Sequence, residues 1–470
     1  MGNPNSIIEH SFGQISHPLV STVEQPVYDV IVVGGGPVGM ISACLMSAFH
    51  KDLRICVLDK RREPTRHHGL HIASTTAKKI EKIIKAVNED HLVNRGAILD
   101  FISVFNSWSS EVVRISSIEK MFEERAKNLG ITILRGTEYE VTEPIVDALF
   151  DEKDKKIENG VILSGQQQRI QELFRGARVV IGADGAHSVI KKRIMGEQYS
   201  DQKMLQYLVE LKFNSPHNTP KRNPLRGSWH ASHTAAVDLE TIGGRSTNQE
   251  ANKPVALQLI INKETFEHLR KEIKNSDHTV VKGTFAHPWT LQELEQVAVT
   301  DPVIRAMLVK LNFYIAELYS RGGQCIDEKI TALPLGIYCS ETTAKVHKGK
   351  IVVLSGDANS GLIWRRGFNK SLQEAALCAA AITKYFKRLA QNPQSQVSIT
   401  VLPSEFIVYQ RTAQRLFQVE KKKILAQNVG IQSLQRSLDT SVTPLVRGIT
   451  RISSYIFSYL RSFGAKLHMK

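Results

Sequence analysis

Apolar residues recur along this chain in two rhythms, short continuous runs and four-residue spacings. YDVIVVGGGPVGMISACLMSAF (28–49) gives an apolar run, a glycine turn and then an apolar stretch of helical length; LRICVLDK (53–60) repeats the run. A short apolar run bounded by a turn reads as a fully buried strand, so this opening predicts strand, helix, strand. In SIEKMFEERAKNLG (117–130) Ile118, Phe122 and Ala126 share one helical face, and ITILRG (131–136) follows as a strand. ARVVIGADG (177–185) and KIVVLSGD (350–357) are further buried-strand runs, each ending in a Gly/Asp turn. SLQEAALCAAAITKYFKRLA (371–390) predicts a helix packed through its alanines.

Elsewhere the rhythm is lost. Residues 1–26 are polar and read as a loose arm, and DEKDKKIENG (151–160) reads as a charged loop tip. Residues 212–254 are rich in Pro, Gly, Asn and Ser and predict long loops on a second domain. VALQLIIN (255–262) then reads as a strand of that domain and ETFEHLRKEI (264–273) as a helix. Beyond Leu402 the chain reads as helical and basic.

Composition narrows the class. With 470 residues, 42% hydrophobic and 23% charged, the chain is long enough for two packed domains and ordinary for a globular protein. Five cysteines form no CxxC pair, which fits a reducing, cytoplasmic compartment, and the N-terminus lacks the basic and apolar regions of a secretory signal. The net charge of +15 is uneven: from Glu405 to Lys470 eleven Lys or Arg stand against three acids. In residues 444–470 Leu445, Ile449, Ile452, Ile456, Leu460 and Phe463 recur at helical spacing opposite Arg447, Arg451 and Arg461. That pattern suits an anionic membrane surface as well as packing on the protein. No nucleic-acid module is recognisable.

The glycine turn carries the first chemistry. Gly34, Gly36 and Gly39 fit G-x-G-x-x-G between a strand and a helix, and Asp59 ends the next strand 20 residues later. Such a turn lets a pyrophosphate approach the backbone at a helix N-terminus while the acid takes the ribose hydroxyls of a dinucleotide. The two later Gly/Asp turns, at Asp184 and Asp357, suggest a longer ligand with contacts from several strand ends, and Asp357 suits polyol hydroxyls.

Three stretches together resemble the single-component FAD-dependent monooxygenases of the aromatic hydroxylase type. They are Gly34–Gly39 with Asp59, then Asp184-Gly185-Ala186-His187-Ser188-Val189-Ile190-Lys191, then Gly356-Asp357-Ala358 followed by Gly367, Asn369 and Glu374-Ala375. The resemblance covers roughly residues 27–390. It implies an α/β fold: a Rossmann-like, p-hydroxybenzoate-hydroxylase-like FAD-binding domain over 27–200 and 325–400, an interleaved sheet-based substrate domain over 201–324, and a helical C-terminal region over 401–470. It also implies FAD held by Gly34, Gly36, Pro37, Val38, Gly39, Asp59, Lys60, Arg61, Arg66, Asp184, Gly356, Asp357, Gly367, Phe368 and Asn369. NADPH would be the electron donor, and an apolar or aromatic molecule would be hydroxylated through a flavin hydroperoxide. That chemistry needs no nucleophile triad or metal cluster, so the sequence assigns no catalytic residue.

This chain departs from the family at several points. Asp59 stands for a more usual glutamate and Lys191 for an arginine. The third motif is about two residues short and lacks its histidine and prolines, which brings Trp364, Arg365 and Arg366 towards the flavin edge. Trp229, His230 and His233 fall in the loop-rich middle as candidates for a substrate pocket. A plain FAD-dependent reductase or dehydrogenase, and a flavin-binding interaction protein without turnover, remain open.

Overall fold

The computed structural model describes residues 28–63, 69–87, 91–109, 112–143, 145–146, 150, 165–196, 198–215, 240–241, 253–274, 279–319, 325–362, 364–392 and 399–426. The first half runs β1 (Val30–Val33), α1 (Pro37–Phe49), β2 (Ile55–Asp59), β3 (Gly69–His71), α2 (Ser74–Lys85), α3 (Arg95–Trp108), β4 (Val112–Arg114), α4 (Ile115–Asn128), β5 (Thr132–Arg135), α5 (Gly165–Arg175) and β6 (Val179–Gly182). A middle group follows: β7 (Tyr199–Ser215), β8 (Glu240–Thr241), β9 (Lys253–Ile261), α6 (Lys263–Leu269), β10 (Glu272–Lys274), β11 (Thr279–Val281), α7 (Leu291–Thr300) and α8 (Pro302–Tyr319). The last group is β12 (Ile326–Ser340), β13 (Ala344–His347), β14 (Lys350–Leu354), β15 (Ser360–Gly361), α9 (Trp364–Gln391) and α10 (404–426).

The short apolar runs become one sheet in the order β13-β14-β6-β1-β2-β5, parallel except for β13 at its edge. Helices cover both faces, which is why the strands are apolar on both sides. Val30, Val32, Val57, Ile181 and Val353 face α1, α4 and α9; Ile31, Leu58, Val180 and Val352 face Phe150, Ile170, Phe174 and Ile190. Almost every residue of α1 is buried, sandwiched between the sheet and α9. The alanines of α9 (Ala375, Ala376, Ala379) let the two helix backbones approach.

The second sheet has the order β15-β12-β7-β9-β8 and is antiparallel. One face buries Val209, Leu211, Phe213, Leu259, Ile330 and Ala332 against α6, α7 and α8.

Two expectations need correction. β12 belongs to this second sheet, so the chain returns to the parallel sheet at β13, not at residue 325. Its register shifts near Leu335 and Cys339 break the strand period, which hides the membership from a sequence reading. The helix expected over 264–273 ends at Leu269, and Glu272–Lys274 turns into a small hairpin. The C-terminal region is helical over 404–426, as expected, and it also contributes to the core: on α10, Phe406, Tyr409 and Ala413 join the cluster beneath the parallel sheet. Phe417 and Ile424 pack with Ile337, Cys339 and Leu362 near the second sheet. The stretches 1–27, 151–164, 216–239 and 427–470 lie outside the described residues, and with them the arm, the charged loop, Trp229, His230, His233 and the amphipathic segment 444–470.

Candidate functional site

The parallel register brings distant turns to one edge. Val33 pairs with Leu58 and with Gly182, and Gly182 pairs with Leu354, so the turns after β1, β2, β6 and β14 all leave the sheet at one level. Backbone bonds continue that level outwards: Gly34 N–H to Leu58 O (2.8 Å), Ala183 N–H to Val33 O (2.8 Å) and Ser355 N–H to Gly182 O (3.0 Å). The carboxyl ends of parallel strands are where open α/β sheets bind ligands.

The first turn is built for close approach. Gly34 has φ +109, and a Cβ there would lie 2.4 Å from Ala183 O, so the second turn rests directly on the first. A Cβ on Gly39 would come within 2.0 Å of Gly34 O, so glycine seats α1 against β1. Gly36 differs. Its Cβ would meet nothing nearer than Arg61 Nη2 and Glu119 Oε1, both at 3.8 Å. Pro37 opens α1, no side chain caps it, and no acid occupies its first turn, so its N–H groups and positive dipole end face this open side.

Asp59 is buried and heavily engaged. Its Oδ1 accepts Arg61 N–H (3.1 Å) and Nε (3.2 Å), and its Oδ2 accepts Arg61 Nη2 (2.9 Å) and Arg135 Nη1 (3.1 Å). Arg61 also reaches the buried Glu119 of α4 at 3.5 Å, and Arg135 reaches Glu123 at 3.1 Å. Burial disfavours the Arg61 cation, but Asp59 and then Glu119 more than offset it, and its pKa rises. Lys60 points elsewhere, in an exposed ion pair with Glu140 (2.9 Å).

In the second turn Asp184 Oδ2 accepts Val189 N–H at 2.7 Å and so caps the helical turn 189–195. Its Oδ1 is buried without a hydrogen-bond partner among the described atoms. Burial pushes the Asp184 carboxyl up, against the bonds from Ser188 and Val189 that favour its ionised form. His187 is exposed. Lys191 is buried between the rings of Tyr199 and Tyr338.

The third turn packs on the first: Gly356 has φ +67, and a Cβ there would lie 2.9 Å from Val38 Cγ2. Asp357 is exposed at this edge, and its carbonyl accepts the Tyr338 hydroxyl at 2.6 Å. Behind it lies a fully buried polar group of which the sequence reading named only Glu374. Asn359 bonds Thr343 (2.9 Å) and Glu374; Lys370 pairs with Glu374 and bonds Ser360; Tyr409 of α10 donates to Leu354 O at 2.7 Å. Burial raises the Glu374 carboxyl despite Lys370. Gly367 is buried, and a Cβ there would lie 2.3 Å from Leu362 O, so the start of α9 is seated closely on the backbone just after β15. Phe368 packs on the main core, and Asn369 Oδ1 accepts Ala73 N–H at 2.8 Å, tying α9 to the start of α2.

A profile described as FAD binding domain matches residues 27–301. The chain belongs to that family. Among curated proteins, a rifampicin monooxygenase from Streptomyces venezuelae is 30% identical over 178 residues, 35% of this chain and 33% of the relative. An electron transfer flavoprotein-ubiquinone oxidoreductase from Arabidopsis thaliana is 24% identical over 299 residues, 55% of this chain and 44% of that protein. The matched stretch thus spans about a third of the first relative and under half of the second. A solved structure, the OxyS anhydrotetracycline hydroxylase from Streptomyces rimosus, aligns with TM-score 0.49 at 15% identity, covering 89% of this chain and 74% of that one.

Within this FAD binding domain chain, Gly34, Gly36, Pro37, Val38, Gly39, Asp59, Arg61, Asp184, Gly356 and Asp357 gather at one edge of the sheet. Lys60 turns away from it and Asn369 is engaged in helix packing. Arg66, and the side chains of Trp364, Arg365 and Arg366, lie outside what is described. Glu119, Arg135, Tyr338 and Lys370 were missed, and Glu374 was named only as part of the third motif. Only their departure from an apolar helix or strand face could have flagged them.

Proposed function

We propose that this chain is an FAD-dependent monooxygenase that places one atom of dioxygen in an apolar or aromatic small molecule while consuming NADPH. The observation that carries the reading is the convergence of the Gly34–Gly39, Ala183–Gly185 and Gly356–Ala358 turns on adjacent parallel strand ends. The likeness to a rifampicin monooxygenase gives it chemical direction.

The residues present fit the cofactor. The uncapped start of α1 and the open side of Gly36 suit a pyrophosphate, the exposed Asp357 suits ribityl hydroxyls, and Asp184 Oδ1 keeps an unused acceptor. Asp59 would take the adenosine ribose by giving up part of its Arg61 contact, and the freed guanidinium would stay close to the phosphates. When bound, FAD supplies the redox chemistry between nicotinamide and dioxygen. The protein supplies orientation and water exclusion. Burial, then the negative Asp357, pushes the Tyr338 phenol far up, so it stays protonated and donates to the Asp357 carbonyl.

A dehydrogenase or reductase is the second reading. It is favoured by the longer match to an electron-transferring oxidoreductase. Labelled dioxygen separates the two. Monooxygenation puts one labelled atom in the product as NADPH is consumed; label confined to peroxide and water across phenols, quinones and prenyl lipids refutes it.

Among the described residues no helix is long and apolar enough to cross a membrane. Attachment to an anionic membrane surface would fall to residues 444–470, whose one-sided charge supports it.

A further inference from the structure

We propose that Lys191, Tyr338 and Asp357 form a relay that fixes the Gly356–Ala358 turn for FAD, with Tyr338 as a positioning residue. The relay rests on FAD binding at this edge of the sheet.

Lys191 is 4% exposed. Its ammonium sits 4.7 Å from the ring centroid of Tyr338 and 5.1 Å from that of Tyr199, and the rings meet edge to face at 5.6 Å. Its hydrogen bond to Ala186 O is long, at 3.4 Å. A buried cation with one weak hydrogen bond is costly unless something else replaces water, and two aromatic faces do so here.

Tyr338 is itself held. β12 places it opposite Gly361 of β15, and a Cβ on Gly361 would lie 2.3 Å from its ring, so the ring lies flat on that glycine. The hydroxyl then has a short path to Asp357 O, at 2.6 Å. A cation on a phenol face draws electron density from the ring and makes its O–H a stronger donor. The charge of the second turn therefore reaches the backbone of the third through one side chain. That bond holds the carbonyl of Asp357 and with it the direction of the exposed carboxylate.

The test uses the full-length chain freed of FAD, with affinity read from quenching of flavin fluorescence on titration. Tyr338→Phe keeps the ring and the cage but loses the hydroxyl, and should weaken FAD about five- to tenfold. Lys191→Met keeps the bulk and should weaken it about threefold. The double variant should be no weaker than Tyr338→Phe alone, to within about twofold, because the charge acts through the hydroxyl. Tyr199→Phe should bind as the unaltered protein does. The thermal midpoint of the FAD-free Tyr338→Phe protein should hold to about 2 °C, which a purely structural role would not predict. Unchanged affinity in Tyr338→Phe, or losses that multiply in the double variant, overturns the relay and leaves FAD binding intact. If Lys191→Met does not fold, Tyr338→Phe against Tyr199→Phe decides. Failure of the unaltered chain to bind FAD overturns the relay and the site together.

Discussion

Adding one methyl group to the first turn should cost stability at Gly39 and FAD affinity at Gly36. At Gly39 the new carbon would lie 2.0 Å from Gly34 O and 3.2 Å from Val32 Cγ1. Comfortable contact needs about 3.5 Å, and the obstructing atom is backbone, so β1 or α1 must shift. Overpacking costs about 1–3 kcal/mol where side chains can yield, so Gly39→Ala should cost about 3 kcal/mol or more. At Gly36 nothing stands within 3.8 Å and φ is −71°, so alanine fits the FAD-free fold. The remaining cost is that of alanine for glycine at a helix N-cap, about 0.5–1 kcal/mol. The same methyl group, however, fills the side from which the pyrophosphate would approach. Losing one charge-assisted hydrogen bond there costs about 1.5–3 kcal/mol, or roughly 10- to 100-fold in affinity. Urea unfolding of the FAD-free proteins measures the first effect and FAD titration the second. If Gly36→Ala binds FAD like the unaltered chain, or if Gly39→Ala unfolds like it, the assignment of roles within the turn is wrong.

Asp59→Asn leaves Arg135, 11% exposed, with Glu123 as its remaining partner here; it should destabilise the FAD-free protein by about 2–3 kcal/mol in urea unfolding and weaken FAD as well. The raised Asp184 carboxyl means that the folded state holds this proton more tightly than the unfolded chain, so its contribution to stability falls as pH rises above the ordinary carboxylate range. Asp184→Asn keeps an acceptor for Val189 N–H, so unfolding curves from pH 4 to 7 should fall less steeply for this variant; parallel curves would contradict that. For the C-terminal segment, full-length protein should sediment with anionic vesicles and be released by salt, whereas a chain ending before Pro444 should keep its FAD and stay in solution; equal behaviour would return the segment to protein packing.

The sequence was most informative where a residue's job is local. Gly34 and Gly39 could be read in place because a tight turn and a close helix approach admit no other side chain. Ile118, Phe122 and Ala126 announced the buried face of α4 through spacing alone, and the structure buries all three. Reading Asp59 was less complete. Its place at the end of β2 was legible, but nothing in the local pattern signals that Arg61 and Arg135 fill its carboxylate.

Periodicity by itself thus determined the strands β1, β2, β5, β6 and β14 and the helices α1, α4 and α9, and turn chemistry pointed to a dinucleotide; FAD in particular came with the family resemblance. Only the tertiary structure decided which charges meet. Arg61 and Glu119 are 58 positions apart, and Tyr409 donates to Leu354 across 55. Lys370 and Glu374 are a single helical turn apart, yet their spacing would suit an exposed pair equally well; it is α10, β15 and the core around them that exclude water. The membership of β12 in the second sheet was settled in the same way. Local pattern fixes which face of an element is apolar, whereas partners and solvent access depend on topology, which brings remote segments together only once the whole chain has folded.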